Sequence, residues 1–216
     1  MDRITAHNET ASSYDQEAGN VYWSAPDFMM GMCYDYIQAG QNLLDIGIGT
    51  GISALPFSKH GLNVIGVDGA KSMLKECEKK QVASKLILHD ISVGPWPLEK
   101  SFHIAISAGV FQFFNNLETI FQEVRKVLLD DGFFCFTVLK CRASDFCKKD
   151  GTQDKIGLID EFHVPMYTHP TGYLKQLADQ NDFQIEKDGV IIMEDTVSEK
   201  PDDFVFEVYL MKAIGR

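Results

Sequence analysis

An acid and three alternating glycines form the segment of this sequence with the clearest capacity for chemistry. Asp45, Gly47, Gly49 and Gly51 follow a short apolar run that begins at Leu43. Glycine adopts the backbone conformations of such a loop without steric cost, and its missing side chain lets a ligand approach the backbone closely. The glycines stand at relative positions one, three and five, whereas the NAD fingerprint needs positions one, three and six. The pattern therefore predicts a nucleotide-type loop whose spacing disfavours NAD.

Two further acids stand where the next two predicted strands end. Asp68 closes the second predicted strand, and Asp90 closes the third. A carboxylate at the position of Asp68 can accept hydrogen bonds from both hydroxyls of a ribose. Asp90 can accept a hydrogen bond from an adenine amino group. The order of these acids along the chain favours a ligand that contains adenosine.

These side chains need a sheet to bring them together, and the sequence alternates apolar strands with amphipathic helices. Strands are predicted at residues 43–46, 62–67, 85–89, 102–107 and 133–139. Helices are predicted from residue 26 to a stop at Gly40, and at residues 52–59, 70–80, 117–129 and 170–180, with Gly132 as the stop of the fourth. Such alternation predicts parallel strands joined by helical crossovers, with the ligand outside the carboxyl ends of the strands.

The end of the sequence breaks this alternation. Residues 183–193 and 204–213 are two long β-rich segments, separated by a polar turn at 198–203. A turn of this composition joins antiparallel strands. The predicted fold is therefore α/β, a doubly wound, seven-stranded, mostly parallel, Rossmann-like sheet that ends in an antiparallel β-hairpin. We expect residues 1–216 to form a single domain.

Composition and charge disfavour several classes of function. The formal net charge is −11 over 216 residues, and nucleic-acid binding requires a basic surface, so we expect no nucleic-acid partner. No apolar run is long enough to cross a membrane, and the N-terminus lacks the pattern of a secretory signal. Five irregularly spaced cysteines fit a reducing compartment. We therefore expect a cytoplasmic protein with no membrane partner and no metal site.

With these motifs in place, the sequence resembles the class I S-adenosylmethionine-dependent methyltransferases. Residues 45–51 are similar to the first motif of that family, 66–74 to the second, 89–91 to the third and 102–107 to the fourth. Residues 123–132 resemble the helix and glycine turn before the fifth strand. The region from Tyr14 to Gly51 is also similar to the Williams–Beuren-region methyltransferase-like proteins. The resemblance covers about residues 40–140 and implies S-adenosylmethionine as cofactor and S-adenosylhomocysteine as product.

The resemblance implies a role for each motif residue at the methionine end of the cofactor. The backbone amides of Gly47, Gly49 and Gly51, together with the following helix N-terminus, would face the methionine carboxylate. Asp45 would hold the loop near the cationic ammonium and sulfonium groups. Ser107, at the end of the fourth strand, would line the passage where the methyl group is presented.

At the adenosine end, the resemblance implies that Asp68 binds the ribose diol. Gly69 and Met73 would flank the adenine. Asp90 would accept from the adenine amino group, and the amide of Ile91 would donate to the ring. Residues 1–40 would form an N-terminal helical cap over this cofactor site.

The acceptor side is less specified. Tyr14 fits the small-molecule-type members of the family, and His163, Tyr167 and His169 lie in a segment after the fifth strand where an acceptor would bind. Methyl transfer depends mainly on alignment and water exclusion, so the sequence need not contain a catalytic dyad, and we assign no catalytic residue.

The expected function is methyl transfer to a small-molecule acceptor by in-line displacement. A pseudo-methyltransferase that binds the cofactor without reaction, a protein methyltransferase and an NAD-dependent oxidoreductase are the alternatives. The attacking atom and the oligomeric state stay open.

Overall fold

The computed structural model describes residues 2–20, 23–142, 157–159, 164–194 and 203–215. Its helices are α1 (Arg3–Thr10), α2 (Tyr14–Asn20), α3 (Ala25–Cys33), α4 (Leu55–Lys59), α5 (Lys71–Lys80), α6 (Glu118–Val127) and α7 (Thr171–Gln180). Its strands are β1 (Asn42–Ile46), β2 (Asn63–Asp68), β3 (Lys85–Leu88), β4 (Phe102–Ser107), β5 (Leu128–Arg142), β6 (Gly157–Ile159), β7 (Met166–Thr168), β8 (Phe183–Met193) and β9 (Phe204–Ala213). Short 3₁₀ turns lie at Tyr34–Tyr36 and Phe111–Phe113.

Within the described ranges, seven strands form one sheet in the order β3-β2-β1-β4-β5-β9-β8. The pairs β1–β2, β1–β4, β2–β3 and β4–β5 are parallel. The pairs β5–β9 and β8–β9 are antiparallel, so β9 lies between β5 and β8. The predicted doubly wound, mostly parallel sheet with an antiparallel hairpin at its end is confirmed.

Apolar cores cover both faces of the sheet. One contains the aromatic side chains Phe111, Phe121, Phe134 and Phe136, packed with α6 and α7. The other contains Met29 of α3 and residues of α4 and α5. Central strands such as β4 are buried on both sides, which explains why their sequence is almost continuously apolar rather than alternating.

The structure differs from the sequence prediction at three connections. The helix expected at 52–59 begins only at Leu55, because residues 51–54 form a turn. Gly132 does not end α6: that helix stops at Val127, and Asp131 takes the left-handed conformation with a φ of 62°. A Cβ on Gly132 would lie 2.9 Å from the Leu129 carbonyl, so close packing explains the glycine. The small antiparallel pair β6–β7 has no counterpart in the prediction.

The first helix packs against α5 through a defined contact. The side chain of Asp2 caps α1 by accepting from the Thr5 amide at 3.1 Å. Asn8 on α1 accepts from the Ser72 amide in the first turn of α5 at 2.8 Å. α1 has no fully buried residue, so these polar contacts are important for its position. In the part of the chain described here, no helix combines the length and apolar character that a membrane span requires.

Candidate functional site

Five segments of the chain line one cavity at the carboxyl ends of β1 to β4. The space measures about 790 Å³, part of which is open to solvent. The lining residues come from the N-terminal segment (Arg3, Ile4, His7, Tyr14, Trp23), the glycine loop (Gly47, Ile48, Gly49, Thr50, Ile52, Ser53), the end of β2 and start of α5 (Asp68, Gly69, Ala70, Met73), the end of β3 (Asp90, Ile91) and the segment after β4 (Ala108, Gly109, Val110, Phe113, Phe114).

The glycine loop has the shape that its sequence predicts. Gly47, Gly49 and Gly51 have φ values of 73°, 53° and 89°, and residues other than glycine rarely adopt this left-handed backbone region. A Cβ on Gly47 would lie 2.6 Å from Val110, and one on Gly51 would lie 2.6 Å from Val82. Gly51 therefore packs against the end of α5 and does not line the cavity.

The glycine amides do not face the cavity as free donors, in contrast to the sequence prediction. Gly47 donates to the Val67 carbonyl at 2.8 Å, and Gly51 donates to the Ile48 carbonyl at 2.8 Å. Gly49 donates to Asp68 at 2.8 Å. These three amides stabilise the loop itself. The helix that follows begins at Leu55, so its N-terminus also lies farther along the chain than predicted.

Asp45 lies beneath the loop and is fully buried. Its Oδ2 accepts from the Ser53 hydroxyl at 2.6 Å, whereas its Oδ1 has no hydrogen-bond partner. Burial raises the pKa of Asp45 to about 7, and the charge of Asp68 also raises it, although the Ser53 hydroxyl opposes the change. Asp45 does not itself line the cavity. Ser53 does line the cavity, and the unpaired Oδ1 of Asp45 is a buried acceptor immediately behind it.

Asp68 lines the cavity at the end of β2. Its Oδ2 accepts from the Gly49 amide at 2.8 Å, and its Oδ1 accepts from the Ala70 amide at 2.7 Å. Burial raises the pKa of Asp68, and these amides, together with His7, partly offset that rise. Each carboxylate oxygen has a second lone pair, so Asp68 can still accept from two further hydroxyls.

Asp90 lines the cavity at the end of β3, but an unpredicted partner holds it. Arg3 of α1 donates to Asp90 Oδ1 at 2.6 Å and lies 4.4 Å above the ring of Phe114. Burial raises the pKa of Asp90, but hydrogen bonds from Ser92 and from Arg3 outweigh it and keep that pKa below its usual value.

Gly69, Met73 and Ile91, the other predicted adenosine-side residues, also line the cavity. Met73 is almost fully buried, and Ile91 is 5% exposed. A Cβ on Gly69 would lie 3.0 Å from the Ile4 side chain, so α1 passes directly over this glycine.

Ser107 does not line the cavity, and this prediction is corrected. Its side chain is fully buried, and its hydroxyl donates to the Ile46 carbonyl at 2.8 Å. It therefore bonds β4 to β1. The next residues, Ala108 and Gly109, form the cavity wall instead.

Tyr14 lines the cavity from α2. Burial raises the pKa of Tyr14 to about 12, with smaller contributions from the charges of Asp68, Asp15 and Glu17. The neighbouring Asp15 accepts from the Thr50 hydroxyl in the glycine loop at 2.5 Å and pairs with Lys80 of α5. α2 is thus hydrogen-bonded to the glycine loop, which also lines the cavity.

Tyr167 and His169, two other predicted acceptor residues, do not line the cavity. His163 lies outside the described residues. Tyr167 is half-buried in β7. His169 is buried beside Tyr173, with ring centroids 5.9 Å apart, and neither of its ring nitrogens has a hydrogen-bond partner. Burial lowers the pKa of His169 to about 4, although the nearby Phe114 backbone favours its protonated form.

Arg3, His7 and Trp23 line the cavity, although the sequence did not predict them as site residues. Trp23 packs against Gly109, where a Cβ would lie 3.1 Å from its ring, and its own ring lies 5.2 Å from that of Phe206. The polar composition of residues 3–10 gave no apolar periodicity to reveal the helix. In the described ranges, no group of three or more His, Cys, Asp or Glu side chains is placed to hold a metal.

Comparison with known proteins gives a consistent assignment. Residues 44–136 match the family model of the methyltransferase domain. A malonyl-[acyl-carrier protein] O-methyltransferase from Serratia marcescens is 29% identical over 135 residues, which cover 62% of this chain and 51% of that protein. The chain spans about half the length of the curated relatives that it matches.

Solved structures share the fold over nearly the whole chain. An S-adenosylmethionine-dependent methyltransferase from Clostridium acetobutylicum is 17% identical, with a TM-score of 0.67, and the match covers 97% of this chain and 100% of that one. One from Methanosarcina mazei is 16% identical, with a TM-score of 0.67 and coverage of 86% and 98%. The similarity to Williams–Beuren-region proteins stays a prediction. Residues 44–136 thus match a methyltransferase domain, and the relatives and the shared fold support a class I S-adenosylmethionine-dependent methyltransferase, a family whose cofactor is S-adenosylmethionine.

Proposed function

We propose that this chain transfers a methyl group from S-adenosylmethionine to a small-molecule acceptor. The observation that carries the proposal is the convergence of acids from three adjacent strands on one cavity. Asp68 and Asp90 line it, and Asp45 lies directly behind its wall. When bound, S-adenosylmethionine supplies an electrophilic methyl group.

The residues around the cavity fit the groups of this cofactor. Asp68 retains acceptor capacity for the two ribose hydroxyls, and the Oδ1 of Asp45 is a buried oxygen that lacks a partner. A cationic ammonium or sulfonium group would relieve the cost of that unpaired acceptor. Asp90, Ile91, Gly69 and Met73 surround the region that we assign to adenine.

The N-terminal segment would act as a cap over the cofactor site. Arg3, Ile4 and His7 of α1 and Tyr14 of α2 cover the cavity, and Trp23 closes its side near Gly109. Residues 1–40 would thus exclude water from the reacting groups, which methyl transfer requires. A cavity covered in this way favours a small acceptor over a folded macromolecule.

For the acceptor, we propose only a chemical class, a small molecule. The negative charge of the chain disfavours nucleic acid. The named relative from Serratia marcescens methylates an acyl-carrier-protein substrate according to its name, but only half of that protein is matched. A pseudo-methyltransferase is the main alternative, because a protein that binds the cofactor without reaction would have the same cavity.

Calorimetry with S-adenosylhomocysteine tests the cofactor half of the proposal. Asp68→Asn should weaken binding by about 10-fold or more, because an amide cannot accept both ribose hydroxyls as a carboxylate does. Asp179→Asn, on the exposed face of α7, is the matched control and should bind normally. Unchanged affinity of Asp68→Asn would show that the site is misplaced. Production of S-adenosylhomocysteine in the presence of acceptors separates an enzyme from a pseudoenzyme.

A further inference from the structure

His7 is held in the cavity in a single tautomer. Its Nδ1 lies 2.6 Å from the carbonyl oxygen of Arg3, one turn earlier in α1. A carbonyl oxygen can only accept, so Nδ1 carries a proton, and in the neutral imidazole Nε2 therefore presents a lone pair. Within the part of the chain that the structure describes, Nε2 has no hydrogen-bond partner, and His7 is a cavity-lining residue.

The ring of His7 is also fixed in orientation. It packs edge-on against Phe113, with ring centroids 4.8 Å apart and an interplanar angle of 78°. Phe113 belongs to the 3₁₀ turn that directly follows β4. This contact fixes the plane of the imidazole ring inside the cavity, beside the segment that follows β4.

The charged and titratable groups around His7 come from several elements. Arg3, on the same helix, is paired with Asp90 at the end of β3. Asp68 at the end of β2 is electrostatically coupled to His7. Tyr14 of α2 lines the same cavity.

The other described histidines do not line the cavity. His60 packs against Tyr34, His89 bonds to the Val93 carbonyl, His103 accepts from the Asn42 amide, and His169 is buried beside Tyr173. Among the described residues, His7 is therefore the one imidazole available to a reaction in this cavity. Histidine is the side chain used most often to accept a proton in catalysis.

We propose that Nε2 of His7 accepts the proton of a neutral hydroxyl or amine acceptor during methyl transfer. This inference rests on the proposed function. The acceptor oxygen or nitrogen forms a bond to the methyl carbon, and the methyl–sulfur bond breaks with its electron pair remaining on sulfur. The acceptor proton moves to Nε2 and then to solvent. A carboxylate or thiolate acceptor is already deprotonated and would not need His7.

The variant His7→Gln separates proton transfer from cofactor binding. It should bind S-adenosylhomocysteine with a Kd within about 3-fold of the parent protein. With 4-methylphenol and benzylamine as probe acceptors, it should lose methyl transfer by about 100-fold or more, which is the usual contribution of a general base. His60→Gln, outside the cavity, is the control and should retain activity. The pH profile of kcat/KM should lose its acidic limb in His7→Gln alone.

The tautomer provides a readout that is independent of turnover. Long-range ¹H–¹⁵N correlation spectra of the complex with S-adenosylhomocysteine should show His7 protonated at Nδ1 and unprotonated at Nε2. Protonation at Nε2 with Nδ1 free would overturn the inference. Loss of cofactor binding in His7→Gln would also overturn it, because His7 would then be a binding residue.

Failure of this inference is distinguishable from failure of the proposed function. If the parent protein methylates the probes and His7→Gln does so equally well, only the role of His7 is wrong. If the parent protein methylates benzoate but neither neutral probe, the acceptor class is wrong. If it binds S-adenosylhomocysteine but methylates none of the three, both the transferase function and the role of His7 are rejected.

Discussion

The guanidinium of Arg3 lies 2.6 Å from Asp90 Oδ1 and links two residues that are 87 positions apart in the chain. The same guanidinium lies 4.4 Å above the Phe114 ring. One side chain thus connects α1 to the end of β3 and to the segment after β4. All described hydrogen bonds to the Asp90 carboxylate go to Oδ1, so in the proposed cofactor site Oδ2 is the oxygen available to an adenine amino group.

Replacing Arg3 with Ala should loosen α1 without unfolding the protein. The ion pair is partly exposed, and together with the contact to Phe114 it contributes roughly 1 kcal/mol. We expect hydrogen-exchange protection of residues 3–10 to fall about 5-fold and affinity for S-adenosylhomocysteine to weaken by a similar factor. Lys79→Ala, which removes an exposed pair within α5, is the control. Equal hydrogen-exchange protection in Arg3→Ala and the parent protein would contradict the role of Arg3 in holding α1 over the cavity.

The raised pKa of Asp45 predicts a specific dependence of stability on pH. The folded pKa of about 7 exceeds the unfolded value of 3.8, so the folded state holds a proton that the unfolded state has lost between these limits. The free energy of unfolding should therefore fall as pH rises from about 4 to 7, by up to about 4 kcal/mol from this group. Asp45→Asn should remove this decline. Urea unfolding at pH 5 and pH 8 measures it.

Binding of the cationic cofactor should release the Asp45 proton. A positive group next to a carboxylate lowers its pKa, so binding of S-adenosylmethionine at pH 7 should release about half a proton. Calorimetry in two buffers of different ionisation enthalpy measures this number. Asp45→Asn should release none by this route, and an unchanged release in that variant would place the proton elsewhere.

Gly51 should tolerate alanine less well than Gly40. Both residues have a left-handed φ, 89° and 87°, so the backbone strain of the two substitutions is nearly equal. A Cβ at Gly51 would lie 2.6 Å from Val82 and 2.9 Å from Cys77, whereas a Cβ at Gly40 meets nothing within 4 Å. We expect Gly51→Ala to cost about 1–3 kcal/mol more than Gly40→Ala. Thermal unfolding of both variants checks the difference.

His169 should make the protein sensitive to acid. Burial lowers the pKa of His169 to about 4 from its ordinary 6.5, so between these values the unfolded state binds a proton that the folded state does not. Stability should therefore fall as pH drops from about 6.5 to 4, which is opposite in sign to the effect of Asp45. His169→Phe should remove this loss and retain the packing on Tyr173. A variant that is no more stable than the parent protein at pH 5 would contradict the assignment.

The predicted sheet was close to the observed one because its evidence is local. The bounds of β4, β8 and β9 agree with the sequence prediction, since continuous apolar runs and a polar turn identify such strands without knowledge of their neighbours. Gly132 was misassigned because a glycine after a helix is typical of a helix stop. Here its function is close packing against the Leu129 carbonyl.

The cavity was only half predictable. Asp68 and Asp90 could be located because they end parallel strands, and the ends of parallel strands meet at one edge of the sheet. Ser107 also ends a strand, but its hydroxyl bonds to Ile46 within the sheet. Sequence position does not show to which side of a strand end the side chain points, because that depends on the pleat and on the neighbouring strand.

The sequence by itself determined which motif follows each strand and identified the three acids Asp45, Asp68 and Asp90, because these features depend on local composition and spacing. Only the tertiary structure decided that Arg3 and His7 belong to the same cavity. Residues 3–10 have no apolar face by which a sequence pattern could place them. Their position depends on contacts such as Arg3 with Asp90 and Asn8 with Ser72, which join residues far apart in the chain.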